Sequence, residues 1–109
     1  MALYCLFQLS VKDAEKMQEY SDLARETIEK FGVEICAFDF EPQAIEGAVD
    51  HNETGILRFE NEEAFKKWYY SPEYQKAASV RLNDGASEGR VLLIRGFEGL
   101  ENVELNYVD

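Results

Sequence analysis

Residues 33–40 read Val33-Glu34-Ile35-Cys36-Ala37-Phe38-Asp39-Phe40, and no other stretch constrains the fold as much. Its β-branched and aromatic residues predict a strand. Alternate side chains of a strand face opposite ways, which sends Cys36, Phe38 and Phe40 to one side and Val33, Ile35 and Ala37 to the other. Both sets are apolar, so both faces of the sheet need cover. A lone sheet with helices on one face leaves the other wet. In a chain of 109 residues, about one domain in length, a second copy of the chain is the economical cover.

The rest of the chain supplies the other elements. Residues 3–9 are apolar and aromatic and predict a first strand. The stretch has no basic flank and meets Gln8, Ser10 and Lys12 at once, which is not the pattern of a signal peptide. Asp13 stands where a helix N-cap belongs. Met17, Tyr20, Leu23, Ala24, Ile28 and Phe31 then recur mostly at three or four residues, one stripe of a helix, and Gly32 follows where a left-handed residue would end it. Pro42 breaks the second strand, with Ala44 and Ile45 as a candidate resumption, and residues 50–53 form a polar turn. Residues 55–59 predict a third strand. Asn61 offers a second N-cap, and Ala64, Phe65, Trp68 and Tyr69 a second stripe. Proline inside a helix forces a break, so Ser71-Pro72 ends one segment and starts another carrying Tyr74, Ala77, Ala78 and Leu82. Asn83-Asp84-Gly85 and Glu88-Gly89 mark a loop before a last strand at residues 91–94.

Strand, helix, strand, strand, helix, strand is the ferredoxin-like βαββαβ arrangement: an α+β fold with an antiparallel four-stranded sheet and helices on one face. Residues 1–97 form this domain. Residues 98–109 are a C-terminal extension in which Val103, Leu105 and Tyr107 alternate, as a short extra strand or a frayed terminus would.

Charge narrows the partners. Acidic residues outnumber basic ones 22 to 11, for a formal charge of −11, which disfavours nucleic acid and anionic membrane surfaces. No apolar run approaches the roughly 20 residues of a membrane span, and the expected compartment is the cytoplasm. Cys5 and Cys36 fit no metal or redox spacing and read as two buried, reduced thiols.

The segment Phe59-Glu60-Asn61-Glu62-Glu63-Ala64-Phe65-Lys66-Lys67-Trp68-Tyr69-Tyr70-Ser71-Pro72-Glu73-Tyr74-Gln75 resembles the signature of domain-of-unknown-function family 1330. Arg81 matches an arginine that follows in that family, Tyr20 a helix tyrosine, Val11-Lys12-Asp13 the turn into its first helix, and Ile45-Glu46-Gly47 its Leu-Glu-Gly segment. Ala14 stands where the family often has proline, and the tail from Phe97 exceeds the usual end. The resemblance implies a dimeric α+β barrel with two sheets face to face. Proteins of that architecture include cofactor-free monooxygenases, isomerases, dehalogenases and stress-induced proteins, and a shared fold does not choose among them.

Within this frame Tyr74 and Arg81, two helical turns apart on one face, are the candidate catalytic pair, with tyrosine as acid or hydrogen-bond donor and arginine holding an anionic oxygen. Tyr20, Arg58, Trp68 and Ser71 are candidate substrate-binding residues. Each has a plainer reading: Tyr20 and Trp68 as core, Ser71-Pro72-Glu73 as a capped helix restart, Arg81 as the partner of an acid, Arg58 as an interface residue. His51, the one histidine, reads as a loop residue beside Asp50. No metal ligand set, phosphate loop or nucleophile elbow is present, and no cofactor is expected. The expected function is binding or transformation of a small anionic or aromatic metabolite between sheet and helices; the alternative is a non-enzymatic dimeric module.

Overall fold

Asp13 and Gly32 bracket the first helix as their chemistry requires. In the structure, a computed structural model describing residues 1–99, Asp13 Oδ1 accepts from the backbone N–H of Lys16 at 3.1 Å. Gly32 takes a left-handed φ of 64°, which lets Val33 N–H reach back to Ile28 O at 3.0 Å. Asn61 and Ser71 cap the two later helical segments in the same way, accepting from Ala64 N at 2.8 Å and Tyr74 N at 3.1 Å. Each such cap contributes about 1 kcal/mol.

The elements are β1 (Leu3–Val11), α1 (Ala14–Phe31), β2 (Glu34–Asp39), β3 (Glu53–Phe59), α2 (Glu62–Tyr69), α3 (Pro72–Asn83) and β4 (Ser87–Arg95). The strands form one antiparallel sheet in the order β2-β3-β1-β4, the ferredoxin-like arrangement expected from the sequence. Cys5, Phe7 and Leu9 of β1 and Leu57 and Phe59 of β3 meet Met17, Tyr20 and Ala24 of α1, Trp68 of α2 and Tyr74, Ala77 and Ala78 of α3 in one core. Among the described residues no helix covers the other face of the sheet, which presents Leu92 and Ile94, 42% and 46% exposed.

Five local expectations are corrected. The alternation of β2 is broken: Ile35 lies opposite Leu57 but Ala37 opposite Ile56, so Cys36 is an extra residue at a β-bulge. The bulge shifts the pattern by one, and Ile35 and Phe38 come to the same side. Cys36, on the edge strand β2 whose residues are all exposed, is exposed while Cys5 is buried, so the two thiols do not share an environment. Ala44 and Ile45 resume no strand; residues 40–52 are a connection in which Ile45 is 89% exposed. Glu88 and Gly89 belong to β4, where Gly89 pairs with Leu9. A Cβ on Gly89 would stand 2.1 Å from Gln8 O, so only glycine lets β1 and β4 close there. On α3, Arg81 rather than Leu82 faces inward. The proposed strand of Val103, Leu105 and Tyr107 lies outside the described residues.

Candidate functional site

A cleft lies between α1 and the sheet on the side of the bulged strand β2. Its volume is about 680 Å³, and its walls are α1, the sheet from β2 to β1, and Trp68 of α2. Aromatic and aliphatic side chains dominate: Phe7, Ile35, Phe38, Phe40, Met17, Ile28, Tyr20 and Trp68. Gly55 sits under Phe38, where an added Cβ would come within 3.3 Å of the ring; the missing side chain lets that ring lie against the sheet. A concave, mostly apolar space with a few polar groups is the usual form of a small-molecule site.

Two sets of buried polar groups lie beside it. In the first, Tyr20 and Tyr74 bring their hydroxyls to 2.8 Å, with the rings edge-on at 6.3 Å. Tyr20 lines the cleft; Tyr74, 0% exposed, stands behind it. Burial pushes both phenols above their ordinary range, with the Arg81 charge acting in the opposite direction. The Arg81 guanidinium lies 5.7 Å from the Phe7 ring and 5.3 Å from the Tyr20 ring, within cation–π range. It is 4% exposed, and its Nε has no hydrogen-bond partner among the described residues. Burial works against its charge, but Tyr20 and Tyr74 outweigh that and raise its pKa.

In the second set, Trp68 donates its indole N–H to Thr27 Oγ1 at 2.9 Å, and Thr27 donates its own O–H to Ala24 O at 2.7 Å. Ser71 Oγ donates to Trp68 O at 2.7 Å while it caps α3. These bonds fix the indole at the edge of the cleft, with its ring 4.1 Å from that of Tyr74.

Of the residues singled out from the sequence, Tyr20 and Trp68 line the cleft. Tyr74 and Arg81 meet Tyr20 from behind, and Ser71 holds the helix joint that carries Trp68. Arg58 lies elsewhere. It alternates with the inward-facing Leu57 and Phe59, so it points to the open face of the sheet, 3.8 Å from both Glu34 and Glu60. His51 is tied by Nδ1 to Asp50 Oδ1 at 2.9 Å and by Nε2 to Thr54 Oγ1 at 2.7 Å, and this anchors the loop into β3. Asn52 pins the same loop to β1, accepting from Val11 N at 3.0 Å and donating to Leu9 O at 3.0 Å.

Sequence reasoning missed Glu53. It was placed in a polar turn, but β3 begins there, and Glu53, Gly55, Leu57 and Phe59 all face the helices. Glu53 is 6% exposed and lines the cleft. Burial raises its pKa, and the Arg81 charge lowers it. The period-two register of β3, carried two residues further back, was the available sign.

The fold and this cleft define a ferredoxin-like α+β protein with an aromatic pocket on one face of its sheet and, among the described residues, a bare face on the other. The chain belongs to the family described as Domain of unknown function (DUF1330), whose model matches residues 2–97. No curated protein matches it in sequence. Among solved structures it is similar to a protein of unknown function from Rhodopseudomonas palustris, with a TM-score of 0.67 and 16% identity over 90% of this chain and 84% of that one. It is also similar to a dimeric ferredoxin-like protein of unknown function from Jannaschia sp. CCS1, with a TM-score of 0.62 and 16% identity over 86% and 96%. SnoaB, a cofactor-independent oxygenase from Streptomyces nogalater, aligns with a TM-score of 0.58 and 13% identity over 91% and 96%. At these identities the likeness is one of fold.

Proposed function

We propose that this chain is a homodimeric small-molecule protein that binds an aromatic metabolite in the cleft between α1 and the sheet. The observation that carries the reading is the cleft itself: aromatic walls, and a hydrogen-bonded Tyr20 at its side. The chemistry its polar groups offer is acid–base, with Tyr20 meeting the ligand and Tyr74 and Arg81 as positioning residues that set the direction and polarity of its hydroxyl. That chemistry needs no bound cofactor, in keeping with the activity named for SnoaB. Dimerisation covers the bare face through Leu92, Ile94 and the residues around them, as the dimeric relative from Jannaschia suggests.

The chain has a single tryptophan, so its indole N–H gives one resonance in a proton–nitrogen correlation spectrum. Titration with 1-naphthol is expected to shift that resonance and to leave amides of the bare face in place. Filling the cleft with Ala24→Phe is expected to abolish the shift. No shift at a saturating probe concentration would refute the reading.

A second reading, a non-enzymatic dimeric module, is favoured by the bonds of Ser71. They account for the Trp-Tyr-Tyr-Ser-Pro-Glu-Tyr signature as a capped helix joint. It predicts that 1-naphthol leaves the indole resonance unmoved.

A further inference from the structure

Glu53 is the group in the cleft that packing does not explain. Its neighbours on the same face of β3 are Gly55, Leu57 and Phe59, and its register partner on β1 is Leu9, so it is a carboxylate set into an apolar wall. It is 6% exposed, and among the described residues its side chain forms neither a hydrogen bond nor an ion pair. Charged groups are rarely buried unless paired, and a buried polar side chain ordinarily finds a partner. The one cation that acts on it, Arg81, belongs to α3 and lies against the rings of Phe7 and Tyr20, outside the lining of the cleft. The other titratable group that feels it is Tyr20 of α1.

This arrangement decides what the cleft can hold. A carboxylate offers acceptors only, and an anion brought against it would meet like charge in a poorly solvated site. The lining does hold a cation, Arg25 of α1, but it is exposed, where water and salt screen its charge; Arg81 lies against the rings of Phe7 and Tyr20 and is not part of the lining. We infer that Glu53 is a ligand-contacting residue that selects aromatic compounds bearing a hydroxyl and rejects aromatic carboxylates. The hydroxyl donates to the Glu53 carboxylate. If transfer goes to completion, the ligand O–H bond breaks, an O–H bond forms on Glu53, and the electron pair stays on the ligand oxygen as a phenolate. This inference rests on the reading of the cleft as an aromatic site and narrows it from aromatic compounds to hydroxylated ones.

Three probes of one ring system test it by calorimetry at about pH 8, above the ordinary carboxylate range: 1-naphthol, 1-methoxynaphthalene and 1-naphthoate. With the unaltered protein, 1-naphthol is expected to bind about tenfold more tightly than 1-methoxynaphthalene, the value of a charge-assisted hydrogen bond, and 1-naphthoate more weakly than either. In Glu53→Met, which removes the acceptor, the preference for 1-naphthol is expected to vanish. In Glu53→Gln, which removes the charge, 1-naphthoate is expected to gain affinity. A melting temperature at or above that of the unaltered protein would show that both variants fold and that Glu53 is not simply the structural counter-charge of Arg81. A fall in melting temperature of both variants with unchanged probe preference would overturn the inference. So would tighter binding of 1-naphthoate than 1-naphthol, which would make an arginine, Arg25 or Arg81, the reader of the ligand. Equal binding of all three probes overturns the role of Glu53 but leaves the cleft as an aromatic site; binding of none overturns both.

Discussion

Deleting the Tyr74 hydroxyl is the sharpest perturbation of the cluster behind the cleft. Tyr74 is 0% exposed, and its hydroxyl is 2.8 Å from that of Tyr20, so Tyr74→Phe removes a buried hydrogen bond and adds no cavity of note. The net loss for such a bond is about 1–2 kcal/mol, and for a domain of this size each 1 kcal/mol moves the melting temperature by about 4–8 °C. Tyr20→Phe removes the other half of the same bond and is expected to cost a similar amount. The double variant then loses the bond once, so the two effects overlap by about 1 kcal/mol. The assay is thermal or urea unfolding of all four proteins at one fixed concentration, because dimer dissociation makes stability concentration-dependent. Additivity within about 0.5 kcal/mol would refute the coupling. The two variants also separate structure from ligand: Tyr20→Phe changes a wall of the cleft, whereas Tyr74→Phe acts through Tyr20, so affinity for 1-naphthol is expected to fall more in the former.

Three further outcomes follow from the same geometry. Ser71→Ala deletes both the α3 cap and the bond to Trp68 O, and is expected to lower stability by about 1–2 kcal/mol in chemical denaturation. Glu53→Gln is expected to stabilise at about pH 8 and to lose that advantage below about pH 4. Burial raises the folded pKa of Glu53 above its unfolded value, so the native protein is penalised as pH rises through that folded value and not below the unfolded one; pH-dependent melting of both proteins checks the sign. Cys36 is exposed, with desolvation and the neighbouring Glu34 carboxylate pushing its thiol up, and burial pushes the Cys5 thiol up to about 12, so Ellman's reagent is expected to label Cys36 in the folded protein and Cys5 only after unfolding.

The local signals in the sequence were read well because their chemistry is local. Asp13, Asn61 and Ser71 accept from N–H groups three residues on, and Gly32 and Pro72 act within one turn, so each declares a boundary without knowledge of the fold. The overall topology followed from the order of those elements. What failed depends on partners distant in sequence. The bulge at Cys36 arises from the pairing of β2 with β3, and no residue near it announces the shift that turns Ile35 and Phe38 to one side. The inward face of α3 is set by the helix and strands it packs on, which take Arg81 in and leave Leu82 out, against hydropathy. Glu53 was missed for the same reason: a carboxylate at the start of a strand reads as turn until the register of β3 places it beside Gly55 and Leu57. Of the candidate site, Tyr20 and Trp68 were legible as ring positions on helix stripes. The support that Tyr74 and Arg81 give Tyr20, and the position of Arg58 on the opposite face, required the packed structure.

The most direct test of the central claim is a crystal structure of the protein with 1-naphthol bound. The account predicts the ring between α1 and the sheet, against Trp68 and Phe38, with its hydroxyl at hydrogen-bond distance from the Glu53 carboxylate. A ring lodged on the bare face of the sheet, or a hydroxyl turned away from Glu53 toward solvent, would contradict it.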